Sequence, residues 1–110
     1  MTAGVRAGTL LAGWPDATAG ERIVPLLAGP GGRIEQIVSA GQASPDGFWY
    51  DQDQAEFVLL LAGTAGLRIE GETRTRSLRA GDYVVLPAHC RHRVERTSAE
   101  PPAVWLAVHL

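Results

Sequence analysis

Apolar residues recur along this chain in short runs, with glycine or proline breaking the pattern about every ten positions. The runs are RIEQIVS (33–39), EFVLLLA (56–62), GLRIE (66–70), TRTRSLR (73–79), YVVLP (83–87), RHRVERTS (91–98) and AVWLAVHL (103–110). Each is too short to show a helical repeat, and several alternate apolar with polar positions. Such runs, bounded by turn residues, predict the strands of an antiparallel sandwich or barrel. Glu70-Gly71-Glu72 and Arg79-Ala80-Gly81-Asp82 supply glycines where tight turns need a positive φ. In TRTRSLR the arginines at 74 and 76 share a face with Leu78, which fits an outer, solvated strand.

The first thirty residues follow another pattern. Leu10–Leu11 could open a strand, and ATAGERIVPLLA has room for one or two helical turns. The expected layout is therefore a single domain over 1–110, with a barrel core at about 33–109 behind a short irregular N-terminal arm. LLAGW, IVPLLA and RIEQIV carry more apolar surface than one face of a small barrel uses. Edge strands of that kind are often covered by a symmetric partner, so a homodimer is expected.

Composition narrows the function classes. Of 110 residues, 45% are hydrophobic and 20% charged, which excludes a disordered chain. The net charge is −2 and the ten arginines are scattered, so neither nucleic acid nor an anionic membrane is an expected partner. No lysine or asparagine occurs, which removes Schiff-base chemistry and a P-loop lysine. The single cysteine cannot form an internal disulfide and fits a reducing compartment. With no charged start followed by a long apolar run, a cytoplasmic protein is expected.

Candidate chemistry is concentrated in PAHCRHRV (87–94), which holds two of the three histidines and the only cysteine. Gly81, five residues, Pro87, one residue, His89, two residues and His92 follow the spacing of the second motif of the small single-domain cupins. Glu56, six residues and Gly63 follow the end of their first motif. Residues 33–109 thus resemble a cupin of the conserved β-barrel type, and GFWYDQ with PAHCRHRV resembles a bacterial subgroup. The resemblance implies an all-β cupin barrel, a double-stranded antiparallel β-helix or jelly roll. Counted back from Glu56 with four residues between, the two histidine positions of the first motif hold Trp49 and Asp51. His89 replaces the glycine of the second motif, and Arg96 its final asparagine.

From the resemblance, Asp51, Glu56, His89 and His92 are the candidate metal ligands. Imidazole plus carboxylate suits divalent iron, manganese, nickel or zinc and disfavours copper(I). The plain alternatives are a satisfied core histidine at 92, an exposed turn histidine at 89 and a solvated Asp51. Glu56 precedes FVLLL, and a lone carboxylate facing an apolar interior would be costly unless paired or coordinating. Trp49 and Tyr50 are packing residues or a stacking surface for a small molecule. His109 shares a face with Trp105 and Ala107, and so is a candidate for ligand contact or proton transfer. Cys90 is expected to be small filler rather than a nucleophile.

Three functions remain open at this point. The chain could be a metal-dependent oxygenase, isomerase or lyase acting on a small molecule. It could be a metal- or ligand-binding module without chemistry. It could also be a metal-free epimerase or dehydratase in which His92, Glu56 and Tyr50 move protons.

Overall fold

Eight strands form in the computed structural model, which describes residues 4–110. They are β1 (Arg22–Gly29), β2 (Gly32–Ser39), β3 (Glu56–Ala62), β4 (Thr64–Ile69), β5 (Arg76–Arg79), β6 (Tyr83–Leu86), β7 (His92–Thr97) and β8 (Ala103–His109). One sheet has the order β1-β2-β8-β3-β6 and the other β5-β4-β7. Every strand pair is antiparallel. The two sheets face each other as an all-β jelly-roll barrel, and no helix occurs among the described residues. None is therefore long and apolar enough to cross a membrane.

The helical turn expected within ATAGERIVPLLA is replaced by β1. Ile23 and Val24 are β-branched and favour extended backbone. Strand β2 also offers them a ladder running from Arg22↔Val38 to Gly29↔Gly32. Pro25 brings no N–H, but β1 lies at a sheet edge, and the register shifts between Pro25 and Leu27. Leu10 and Leu11 lie in bends rather than a strand. Their segment crosses the outside of the larger sheet, where Trp14 and Ala17 pack on Val38 and Val104. TRTRSLR pairs only at Arg76–Arg79, because the Arg76 guanidinium reaches back to Glu72 at 2.6 and 2.9 Å and holds the preceding residues in a loop.

Strand alternation fills one end of the barrel with Leu60, Ala65, Leu67, Leu78, Ala103 and Trp105. Gly63, between β3 and β4, has φ +74, and a Cβ there would press into the Pro102 carbonyl. That contact is the physical reason for a glycine at the close of the first motif. At the opposite end, polar residues replace the packing. Glu56 begins β3, His92 begins β7 and His109 ends β8.

Candidate functional site

Glu56 and His109 are register partners on adjacent strands and point the same way. The Glu56 carboxylate lies between two imidazoles, with Oε1 3.5 Å from His92 Nε2 and Oε2 3.4 Å from His109 Nε2. Glu35 on β2 brings Oε1 within 3.1 Å of the same His109 nitrogen. These side chains are only 10% (Glu56), 8% (His92), 2% (His109) and 15% (Glu35) exposed. His92 Nδ1 donates to the Cys90 carbonyl at 2.8 Å, so its Nε2 carries a proton only as imidazolium. The Tyr50 ring stacks on His92 with centroids 5.2 Å apart. Backbone bonds between Tyr50 and His92, at 2.7 and 3.2 Å, hold that stack in place.

The group lines a cavity of about 220 Å3 whose apolar walls include Ile37, Val58, Leu86, Val94 and Trp105. Glu56, His92, Tyr50 and His109 all face it. Asp51 and His89 do not line it. They bind each other, His89 Nδ1 to Asp51 Oδ1 at 2.9 Å, with 68% of the His89 side chain and 49% of Asp51 exposed. Backbone alternation explains the split. Tyr50 and Gln52 line the cavity, while Trp49 and Asp51, which alternate with them along the chain, do not. Trp49 carries the Arg91 and Arg93 guanidiniums, each 5.9 Å from its ring. His89 adopts φ 63 at the position where the motif has glycine. Cys90 is half-buried and serves through its backbone carbonyl, which any residue there would supply.

Glu35 and Gln52 are site residues that sequence reasoning missed. Glu35 alternates with Ile37 on the inward face of RIEQIVS, and a carboxylate on that face was the available signal. Gln52 follows from the shorter spacing that the first motif also permits, three residues before Glu56 instead of four. That count places Tyr50 and Gln52 at the two histidine positions. The Gln52 carboxamide oxygen is buried with no hydrogen-bond partner. Among the described residues, no three His, Cys, Asp or Glu side chains converge so as to hold a metal ion.

Burial disfavours a charged His92, but the hydrogen bonds to Glu56 and the Cys90 carbonyl, with the Glu56 charge, outweigh it. Its pKa is raised above the ordinary value. Burial, then the charges of Glu21 and Glu56, raises the Tyr50 phenol, which keeps its proton at neutral pH. For His92 the folded chain binds the proton more tightly than the unfolded chain. Its contribution is complete below about pH 6.5, provided Glu56 is ionised, and is lost as pH rises through the folded value. Unfolding free energy is therefore expected to fall as pH rises from about 6.5. Urea titrations at several pH values check this, and Glu56→Gln should flatten that limb.

Residues 34–109 match the family model of the cupin domain. No curated protein matches the chain. A Ralstonia eutropha JMP134 protein, provisionally named a mannose-6-phosphate isomerase, is 50% identical with a TM-score of 0.91, over 96% of this chain and 97% of its own. An RmlC-like cupin from Desulfovibrio desulfuricans has 16% identity and a TM-score of 0.77, over 96% and 95%. A cupin superfamily protein from Desulfitobacterium hafniense DCB-2 has 16% identity and a TM-score of 0.73, over 88% and 82%. These last two likenesses concern the fold.

Proposed function

Because the chain belongs to the cupin domain family, we propose that its barrel pocket is the site of a small-molecule enzyme of isomerase type, working in the cytoplasm by proton transfer. The observation that carries this reading is the Glu56 carboxylate held between His92 and His109 inside an otherwise apolar cavity. The isomerase name of the Ralstonia protein supports the reaction class. Glu56 takes a proton from the carbon beside a carbonyl and returns it to the neighbouring carbon. In parallel a proton passes from the adjacent hydroxyl oxygen to the former carbonyl oxygen, and the Tyr50 hydroxyl, which stays protonated at neutral pH and faces the same cavity, gives its proton to the second as it takes one from the first. His92 and His109 orient the carboxylate between proton uptake and delivery.

Cupins commonly bind metals, and a divalent ion would need imidazole and carboxylate donors that converge. Phenol and carboxamide stand at Tyr50 and Gln52, where the shorter motif spacing places imidazoles. Asp51 and His89 are turned away to the surface. Among the described residues, His92, His109, Glu56 and Glu35, the imidazoles and carboxylates that do meet, form no cluster that could hold an ion, so the donor set does not fit a resident iron, manganese, nickel or zinc.

The test is proton NMR of hydroxy-carbonyl compounds incubated with metal-stripped protein in deuterium oxide. Deuterium entry at the carbon beside the carbonyl is the expected result. A stoichiometric metal required for that exchange would restore the metal-dependent reading. Exchange with no compound would leave a binding module.

We also propose a homodimer through the outer face of the larger sheet. Register aligns Leu27, Ile34, Val108, Phe57 and Val85 in one apolar row across all five strands. Leu106, Leu59 and Tyr83 form the adjacent row. An antiparallel sheet facing water on one side is ordinarily polar there. At about 4.8 Å per strand the row spans roughly 20 Å, a scale suited to a self-complementary contact. Sedimentation equilibrium should give twice the chain mass, and Phe57→Glu should return the monomer. A wild-type monomer at high micromolar concentration would refute the assignment.

A further inference from the structure

Tyr50, His92, His109 and the Gln52 amide bring donors to the cavity, but its carboxylates outnumber its guanidiniums. Glu21, Glu35 and Glu56 bring three carboxylates to its lining against one guanidinium, Arg33. That guanidinium is engaged, with Nε 3.8 Å from Glu35 and Nη1 donating to Gln54 at 3.0 Å. Glu21 accepts a single hydrogen bond from Ser39 at 2.8 Å and keeps further capacity. The buried Gln52 oxygen has no donor at all. His109, 2% exposed, has a second ring nitrogen, Nδ1, that is also without a partner.

A buried acceptor without a donor costs free energy until something supplies one. An anion cannot supply it and would be repelled by the surrounding carboxylates. An ammonium group can, since it carries up to three N–H donors and a compensating charge. The walls are apolar, and the volume of about 220 Å3 equals roughly seven waters at about 30 Å3 each. That space suits one compact body rather than an extended one.

We propose that the pocket takes a compact organic cation, a primary or secondary ammonium on an apolar body, and rejects phosphate esters. The proposal rests on the barrel pocket being the substrate site. It separates this chain from the phosphorylated sugar in the name of the Ralstonia protein. Glu35 and the Gln52 oxygen receive the ammonium protons, and the apolar walls hold the body.

Isothermal titration of the wild-type protein with benzylamine, benzyl alcohol, benzoate and mannose 6-phosphate tests this on defined probes. Benzylamine should bind at least tenfold more tightly than benzyl alcohol, with no measurable binding of the two anions. Glu35→Gln should remove most of the amine's advantage while benzyl alcohol binds as before, which also reports an intact pocket. Equal or tighter binding of either anion, an amine advantage that survives Glu35→Gln, or binding by none of the four probes would each overturn the proposal. Deuterium exchange is read separately. Amine preference without exchange defeats the enzymatic reading alone, and exchange with tight mannose 6-phosphate binding defeats this inference alone.

Discussion

Glu56→Gln is expected to slow deuterium exchange by about 10²- to 10⁴-fold while the barrel stays folded. Glutamine has the same shape and fills the space between His92 and His109. Its amide cannot take a proton from carbon, and it brings no charge to favour protonation of His92. Glu56→Asp keeps the acid but withdraws it by one methylene, so it should fall between the two. Initial exchange rates on any active compound, with unfolding curves run alongside, separate a chemical loss from a structural one. Full activity in Glu56→Gln would move the proton carrier elsewhere, with Glu35 the next carboxylate on His109.

Trp105→Ala is expected to be the most destabilising single truncation, at about 3–5 kcal/mol. The indole is 4% exposed, belongs to the core cluster with Leu60 and Leu67, and lines the cavity as well. Its loss removes core contacts and opens the floor of the pocket together. Domains of this size are commonly stable by roughly 5–15 kcal/mol, so the variant should melt far below the parent. Urea midpoints measure the effect. A loss under about 1 kcal/mol would mean that the core does not depend on this side chain.

How much of this was legible depended on the kind of signal. Seven of the eight strands follow from alternation and turn residues, because inward and outward positions must differ in polarity along a half-buried strand. Strand β1 was not legible, since its partner lies in β2 and pairing outweighs the weak local preferences of IVPLLA. The pairing of Glu56 with His92 follows the two motifs, and His109 follows its place on the face of Trp105. The separation of Asp51 and His89 from that pair was hidden by one residue of spacing. A shift of one along an extended backbone sends every side chain to the other face. Glu35 was legible only as a carboxylate on the inward face of RIEQIVS, for nothing local shows that β2 runs beside β8 and brings it to His109.

The stretch between β2 and β3 carries Tyr50 and Gln52 to the cavity without forming a strand of its own. Its attachments to β7 include the Tyr50–His92 backbone pair, the bond from Ser44 to Val94 at 2.8 Å, and the Arg93 guanidinium, which donates to the carbonyls of Ser44, Pro45 and Phe48. Its further ties run to the turn at His89, to β7 and to the end of β8 rather than into the core, so local opening of this panel is expected to require less free energy than global unfolding. Ligand residence time and thermal resistance are then expected to respond to different residues. A change at Arg93 acts on the first through the panel, and a change at Leu60 acts on the second through the core.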